Sequence, residues 1–447
     1  MFAYLPHTES EIREMLSGIG AASIDDLFAD IPEDIRFKDR LGFEAGASEL
    51  EVCRRLHSLS KANTEAVSFL GAGTYDHVIP AVVPAITGRT EFYTSYTPYQ
   101  PEISQGVLQA IFEFQTMMCE LTSLDVSNAS LYDGHTAASE ACALAINSTR
   151  KRDTILYSAT IHPYTKQVMA TYFSDLPVKL VEVPEKGGIV DLEAVKELLD
   201  DQVAALLVQT PNFYGFLEDY AGIADILHEN KSLFIVSSNP LSLGVLKSQG
   251  EWGADIAIGD TQPFGLSMYF GGPSVGYIAA AEKLMRKMPG RIVGQTLDED
   301  GKRAFVLTLQ AREQHIKRER ATSNICSNQA LAALATTVYL STLGKEGLKE
   351  IALLNMQKAH YLSERLLSEL PVQLYAGQSF FNEFTIELPK PARQICERME
   401  KDGFFGGVPL HTLHPQYSER LLMIAVTEKR SRDELDRYVE CMKGALK

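Results

Sequence analysis

A polar, aromatic segment between residues 93 and 106 carries the groups best suited to hold a polar ligand. It reads YTSYTPYQPEISQG. Proline fixes φ, so Pro98 and Pro101 make the segment rigid. The residues before them, Thr97 and Gln100, are held extended and cannot be helical. The segment could present hydroxyl, amide and carboxylate groups to a ligand, although its composition alone favours an ordinary connection before a helix.

A second candidate site combines a glycine turn with two histidines. Gly134, His135 and Thr136 precede a small-residue segment, 137–147, that is predicted to be a helix. Free backbone N–H groups and the helix dipole could receive an anion there. A capped core helix explains the same pattern equally well. His162 follows a predicted strand, where its ring could stack on an aromatic ligand, but a lone loop histidine is more often structural.

Two further patterns predict neither a cofactor nor a metal. Gly71-Ala-Gly73 lacks the third glycine of a dinucleotide fingerprint and is better explained as a backbone turn. His411 and His414 are spaced as HxxH, but prolines on both sides argue against the helix that a metal pair would need. The sequence therefore predicts no metal site.

Length, composition and charge restrict the class of protein. The 447 residues suffice for two or three structural regions, and 45% hydrophobic with 22% charged residues is normal for a globular protein. A net charge of −16 argues against nucleic acid or an anionic membrane as a partner. The six cysteines form no CxxC pair, the start resembles no secretory signal, and no apolar run reaches membrane-spanning length. We therefore expect a cytoplasmic protein.

Capping and apolar periodicity predict an N-terminal arm over residues 1–47. Thr8 or Ser10 can cap its first helix, and Ser23 can cap a second helix across 24–29.

Residues 48–300 alternate between helix-like and strand-like segments, which indicates a large α/β domain with a parallel or mixed sheet covered on both faces. Its strands are predicted at 154–158, 179–183, 204–209, 233–236, 254–259 and 275–280, and its helices at 137–147, after Asp191 and at 223–229. Residues 301–447 are predicted to form connecting helices and a smaller C-terminal α+β domain. Its helices are predicted at 304–316, 329–343 with a break at Gly344, 348–368, 392–402 and 432–446, and its strands at 380–388 and 421–425.

Four segments resemble the P-protein of the glycine cleavage system, the glycine decarboxylase that depends on pyridoxal phosphate (PLP). They read FLGAGTYDHVIP (69–80), YTPYQPEISQG (96–106), NASLYDGHTAASE (128–140) and LQAREQHIKRERATSNICS (309–327). The resemblance extends from about Glu9 to the last residues. It implies the fold of the fold-type I PLP-dependent transferases. The length of the chain resembles that of the separate first subunit of a two-chain form.

That resemblance also shows which PLP-binding groups are missing. A carboxylate for the pyridine nitrogen is expected after the strand 233–236, where the chain reads Ser237-Ser238-Asn239. The lysine is expected near 260–265, before the glycines of 271–273, yet no lysine occurs between Lys247 and Lys283. Without that amine no Schiff base forms. The resemblance therefore implies a degenerate cofactor pocket with Gly134, His135, Thr136 and His162 as its relic, and no PLP bound covalently to this chain.

The family resemblance implies that PLP belongs to a second subunit, with two copies of each chain expected in the complex. Glycine would be decarboxylated there, and its aminomethyl group transferred to the lipoyl arm of the H-protein. This chain would complete the partner's site through a loop of eight named residues. They are Tyr96, Thr97, Pro98, Tyr99, Gln100, Glu102, Ser104 and Gln105. Tyr96, Tyr99 and Gln100 would line the substrate channel, whereas Glu102 and Ser104 would hold the loop in shape.

Two alternatives stay open at the level of the sequence. The first is an autonomous PLP enzyme acting on a small amino acid, with its lysine outside the expected segment. The second is a scaffold pseudoenzyme that binds a partner without contributing to its site. The first alternative predicts that the chain binds PLP by itself, and the second predicts that changes in the Tyr96–Gln105 loop are tolerated.

Overall fold

The structure is a computed structural model that describes all of the chain except residues 1–3, 5, 38, 40, 150, 270 and 271. The chain divides into two compact units, Met1–Thr64 and Glu65–Lys447. The first unit contains the helices α1 (Glu9–Gly18) and α2 (Glu49–Lys61) and a 3-10 helix, Ile24–Phe28. Thr8 caps α1, as predicted, because its hydroxyl accepts the N–H of Glu11 and the Glu11 carboxylate accepts the N–H of Thr8.

The second unit holds the remaining helices and all of the described strands. The helices are α3 (Val82–Thr87), α4 (Thr90–Tyr93), α5 (Gln105–Thr122), α6 (Gly134–Ser148), α7 (Pro163–Tyr172), α8 (Leu192–Leu198), α9 (Ile223–Glu229), α10 (Gln314–Lys317), α11 (Ala330–Glu369), α12 (Ala392–Lys401) and α13 (Arg432–Leu446). Short 3-10 helices lie at Pro101–Ile103, Pro240–Gly244, Gly250–Trp252, Glu282–Lys287, Gln310–Arg312, Arg318–Arg320 and Leu410–Thr412. The strands are β1 (Val67–Ser68), β2 (Val126–Ser127), β3 (Thr154–Ser158), β4 (Lys179–Val183), β5 (Glu185–Lys186), β6 (Ile189–Val190), β7 (Val203–Gln209), β8 (Leu233–Ser237), β9 (Ile256–Asp260), β10 (Gly276–Ala280), β11 (Ile292–Leu297), β12 (Arg303–Thr308), β13 (Gln373–Leu374), β14 (Glu383–Glu387), β15 (Phe404–Phe405), β16 (Val408–Pro409) and β17 (Leu421–Ala425).

Seven strands of the described chain form the central sheet, in the order β2-β10-β9-β8-β7-β3-β4. The strands β4, β3, β7, β8 and β9 are parallel to one another, and β10 is antiparallel to both β9 and β2. This mixed sheet confirms the α/β architecture expected from the sequence. The parallel strands all end at one edge, where α/β proteins form their ligand crevices.

Alternating side chains of the sheet bury both of its faces. In β8, Ile235 packs in the core beneath α6 and α7, whereas Phe234 and Val236 face the core that includes residues of α8 and α9. Strands that are buried on both faces appear in the sequence as continuous apolar runs, and for this reason their positions could be predicted well.

A smaller antiparallel sheet, in the order β13-β14-β17-β16, forms the C-terminal layer. Its core is built with the second half of α11 and with α12 and α13. Gly344 interrupts α11 with φ 62° and ψ −174°, which confirms the predicted break. These elements form the smaller C-terminal α+β layer that the fold class predicts.

The helix predicted at 304–316 is wrong, because its first five residues belong to β12, which pairs with β11 in an antiparallel hairpin. The segment that follows Arg303 reads AFVLT, which has the aromatic and β-branched residues of a strand. The turn is made by Asp298, whose carboxylate accepts the N–H groups of Asp300 and Lys302, and by Gly301 with φ 78°. Within the predicted range, only the first three residues of α10 are α-helical.

No helix among the described residues is both long and apolar enough to cross a membrane.

Candidate functional site

A cavity of about 330 Å³ lies at the carboxyl ends of β7, β8 and β9. The residues that end these strands, Gln209, Ser237 and Asp260, all line it. The remaining walls come from the start of α6, the turn before α3 and the end of the loop that enters β14. Its lining includes Ala72, Gly73, Thr74, Tyr75, Asp133, Gly134, His135, His162, Thr165, Pro211, Asn212, Phe213, Ser238, Asn239, Gly259, Gln262, Pro263, Ser267, Tyr269, Gly272, Pro273, Ser274, Asn382 and Glu383.

The cavity brings together three of the four residues expected in a relic cofactor pocket. Gly134, His135 and His162 line it, whereas Thr136 does not. The serines and the asparagine that replace the expected carboxylate, 237–239, line it as well. The segment 260–265, where a lysine was expected, contributes Asp260, Gln262 and Pro263. Gly271, in the glycine turn after it, lies outside the described residues.

The N-terminus of α6 is already occupied by carboxylates of this chain. Asp133 is the N-cap, and its carboxylate accepts the N–H of Thr136 at 2.8 Å. The carboxylate of Asp260 accepts the N–H of Gly134 at 3.0 Å. Burial raises the pKa of Asp260. Because internal acids hold two of the donors that an anion would need, the helix end is a capped helix rather than a ready phosphate site.

His162 is a buried, neutral histidine with a defined tautomer. Its Nδ1 accepts the N–H of Tyr164 at 3.0 Å, so its Nε2 carries the proton and donates to the carbonyl of Ala72 at 3.0 Å. Burial, and then the neighbouring His135, lower the pKa of His162 to about 3. The ring contacts Phe213 edge-on, with centroids 5.1 Å apart. His162 therefore ties the turn at Ala72 to the start of α7.

Glu383 closes the cavity from the small sheet. Its Oε1 accepts the N–H of Ala72 at 2.6 Å, and its Oε2 accepts the hydroxyl of Tyr75 at 3.0 Å. Burial raises the pKa of this carboxyl group to about 7. Ala72 and Gly73 both have positive φ, which confirms that Gly71-Ala-Gly73 is a backbone turn.

The cavity does not fit PLP in the manner of a fold-type I enzyme. None of the described residues lining it is a lysine or an arginine. Ser237 stands where a carboxylate would hold the pyridine nitrogen, and a hydroxyl group cannot hold that proton as a carboxylate does. Acidic side chains also surround the helix end that would receive the phosphate. The described lining therefore offers no amine for a Schiff base and no cationic side chain for a phosphate.

The Tyr96–Gln105 loop forms a separate surface, because none of its residues is among those described as lining the cavity. Tyr96 is 76% exposed and Tyr99 57% exposed. The hydroxyl of Tyr96 lies 2.8 Å from Oγ of Ser327, which ties the loop to the segment before α11. Pro98 is buried beneath the loop, whereas Gln100 is exposed.

Gln105 holds the loop in shape. Its amide nitrogen donates to the carbonyls of Pro101 and Phe305, at 2.7 and 2.9 Å, and its oxygen accepts the N–H of Phe305 at 2.8 Å. The side chains of Glu102 and Ser104 make no hydrogen bond to any residue that the structure describes. The expectation that Glu102 and Ser104 hold the loop in shape is therefore wrong. Gln105 fastens the loop to β12 instead.

A family model described as glycine cleavage system P-protein matches residues 2–442. The chain belongs to the P-protein family of the glycine cleavage system. A relative named probable glycine dehydrogenase (decarboxylating) subunit 1, from Geobacillus thermodenitrificans, is 54% identical over 439 residues, which cover 98% of this chain and 97% of the relative. The protein of the same name from Carboxydothermus hydrogenoformans is 53% identical over 444 residues, covering 99% of each chain.

Solved structures agree with this P-protein assignment. A crystal structure of glycine decarboxylase (P-protein) of the glycine cleavage system, in inhibitor-bound form, matches with a TM-score of 0.91 and 43% identity over 100% of both chains. Lactobacillus brevis glutamate decarboxylase matches with a TM-score of 0.69 and 13% identity, covering 94% of this chain and 97% of its own, which shows the fold alone. The expected fold-type I architecture is confirmed.

In this P-protein chain, sequence reasoning missed the three acids that line the cavity. Asp133 was readable as an N-cap before Gly134, and Asp260 ends a buried strand. Glu383 stands within an apolar strand segment, FNEFTIEL, where a buried acid needs donors. Those donors lie more than 300 residues away in sequence, so the strand pattern alone could not identify them.

The HxxH pair of this P-protein lies outside the α-helices that the structure describes. His411 lies in a 3-10 helix, and its Nδ1 lies 2.8 Å from the carbonyl oxygen of Tyr417. Within the part of the chain that the structure describes, no group of three or more histidine, cysteine or acidic residues could hold a metal ion.

Proposed function

We propose that this chain is subunit 1 of a two-chain glycine dehydrogenase (decarboxylating), and that a second subunit holds the PLP on which glycine is decarboxylated. The observation that carries the proposal is the cavity at the ends of β7, β8 and β9, which has no lysine among its described lining residues. Two relatives more than 50% identical over almost their whole length bear the subunit 1 name, which supports the same assignment.

The autonomous-enzyme alternative requires a lysine that reaches the cavity. Lys247 and Lys283 flank the stretch in which it was sought, and both have other contacts. The ammonium group of Lys247 lies 4.3 Å from the ring centroid of Trp252, and that of Lys283 lies 2.6 Å from the carboxylate of Asp255. Neither lines the cavity. This favours a complex in which the cofactor lies on the other chain.

In that complex, we assign to this chain the task of walling the partner's site through the Tyr96–Gln105 loop. The loop carries exposed aromatic rings, while Gln105 and the buried Pro98 fix its backbone. Rigid aromatic side chains exclude water and position a small substrate at little cost in conformational entropy. Tyr99 and Gln100 would orient glycine and the lipoyl arm, and Tyr96 is positioned by Ser327.

The remaining partners follow from the reaction proposed for the family. Two copies of each chain form the complex, and the lipoylated H-protein receives the aminomethyl group. We expect the complex in the cytoplasm. Glycine, the lipoyl arm and the partner chain are the ligands expected at the loop surface.

The test is turnover by the complex reconstituted from this chain and its second subunit. We expect Y99F and Q100A each to lower glycine decarboxylation by about tenfold or more, because each variant removes a polar group that would orient the bound substrate. The control variant is Y93F, since Tyr93 is exposed on α4 just outside the loop. Wild-type turnover in both loop variants would contradict the walling role and favour a scaffold.

A further inference from the structure

We propose that Arg291 is half of an oxyanion-binding site that is completed only when the second subunit or a bound small molecule meets the Tyr96–Gln105 loop. The ligand chemistry is a carboxylate or a phosphate. This inference rests on the function proposed above and names what that surface recognises.

Arg291 is a buried cation without a counter-ion. Only 3% of the residue is exposed. Its Nη1 lies 3.5 Å from the amide oxygen of Asn328, and its Nη2 lies 3.5 Å from the hydroxyl oxygen of Tyr99. Its Nε has no partner, and no carboxylate of the described chain lies within ion-pair distance. Both contacts are at the outer limit of a hydrogen bond, so the guanidinium group is nearly unpaired.

A buried guanidinium group is costly unless an anion and hydrogen-bond acceptors compensate it. This chain supplies such compensation elsewhere. Arg430, which is buried to a similar degree, is 2.9 Å from the carboxylate of Asp76 and 4.0 Å from that of Glu434. The missing acid at Arg291 therefore indicates that its counter-ion comes from outside the chain.

Tyr99 connects the buried cation to the surface. The guanidinium carbon of Arg291 lies 5.5 Å from the centroid of the Tyr99 ring, and that ring is more than half exposed. An oxyanion that accepts a hydrogen bond from the Tyr99 hydroxyl group lies beside Nη2 of Arg291. A guanidinium group can donate two parallel N–H···O hydrogen bonds to the two oxygens of one carboxylate or phosphate. A single incoming oxyanion could therefore bind Arg291 in this way.

A second guanidinium group adds positive charge beside the same segment. Arg312 donates from Nη1 to the carbonyl of Met288, three residues before Arg291. Its Nε and Nη2 are buried and have no partner among the described residues. Two incompletely bonded guanidinium groups next to residues 288–291 favour an anion over a neutral ligand.

The experiment compares R291M with wild type in the reconstituted complex by three constants. These are the dissociation constant of PLP, the KM for glycine and the dissociation constant of the two subunits. We expect at least a tenfold rise in one of them. A change in PLP affinity identifies the cofactor phosphate as the ligand, and a change in KM alone identifies the substrate carboxylate. A change in subunit affinity alone identifies an acidic side chain of the second subunit.

The control is R303M, because Arg303 also lies 5.5 Å from an aromatic ring, that of Phe305, but is exposed. We expect R303M to leave all three constants unchanged. The melting temperature of the R291M chain alone should equal or exceed that of wild type, since a buried unpaired charge has been removed. R291K, which keeps the charge with fewer matched donors, should give an intermediate effect.

Two results would overturn the oxyanion site. One is a set of three unchanged constants in R291M, and the other is a melting temperature several degrees below wild type, which would mean that Arg291 only stabilises the fold. The Q100A turnover assay separates this failure from failure of the proposed function, because Gln100 is not among the residues proposed to bind the oxyanion. Lower turnover in the loop variants, together with three unchanged constants in R291M, would contradict only the inference about Arg291.

Discussion

Glu383 couples the small sheet to the turn at residues 71–75 through one buried carboxyl group. It accepts the N–H of Ala72 and the hydroxyl of Tyr75, and burial raises its pKa to about 7 from an ordinary 4.5. Between these two pH values the folded chain holds a proton that the unfolded chain has released. The free energy of unfolding therefore falls as pH rises through that window.

We expect E383Q to abolish this decline, because the amide does not titrate. Wild type should lose up to about 3 kcal/mol between pH 4.5 and pH 7, so the variant should be the more stable protein at pH 8. Urea denaturation at pH 5 and pH 8 measures the difference. The control is E387Q on the same strand, where Glu387 pairs with Arg420 at the surface. A loss of stability in E383Q of equal size at both pH values would contradict the titration argument.

At the scale of elements, the start of α6 decides what the cavity can bind. Asp133 caps the helix, and Asp260 from the end of β9 takes the N–H of Gly134. A helix N-terminus is a general anion site when its donors are free. Here two elements of the same chain supply the acceptors, so the cap stabilises the fold and opposes a phosphate.

We expect D133A to lower the free energy of unfolding by about 1 kcal/mol, because the N–H of Thr136 loses its acceptor. D133S restores a capping oxygen and should remain close to wild type. Chemical denaturation of the full chain measures both. A D133A chain as stable as wild type would mean that water or a neighbouring group replaces the cap without cost.

The elements also show which parts of the structure were predictable from sequence. The buried parallel strands were predictable, because continuous apolar runs between helices are typical of strands covered on both faces. The strands β3 and β4 have the predicted bounds. The hairpin of β11 and β12 was not predictable from the apolar pattern, because Phe305 and Leu307 fit a strand or a helix equally well. The Asp298–Gly301 turn is the feature that distinguishes the two. In the site, the missing lysine was visible in the sequence. Of the two acids at the helix end, Asp133 was readable as a local N-cap, whereas the role of Asp260 was not, because its contact with Gly134 is a tertiary one.

At the scale of the whole molecule, the chain has the sheet, the crevice and the small domain of a fold-type I enzyme, and no lysine or arginine is among the described residues that line its crevice. Retaining a buried cavity without its ligand brings no stability by itself. The fold is therefore better explained by what it presents to a second chain. The exposed aromatic loop and the incompletely bonded Arg291 are the described features that such a partner would cover.

The chain alone should fail to bind PLP. We expect a PLP titration of the purified chain to give no Schiff-base absorbance, and borohydride reduction to leave its intact mass unchanged, because no lysine lines the cavity among the described residues. The reconstituted complex is the control, and there the adduct should appear on the second chain only. A stoichiometric adduct on one lysine of this chain would restore the autonomous-enzyme alternative and would identify its active site. Its absence, together with an adduct on the partner, would assign the two chains unequal roles: one carries the cofactor and the other encloses it.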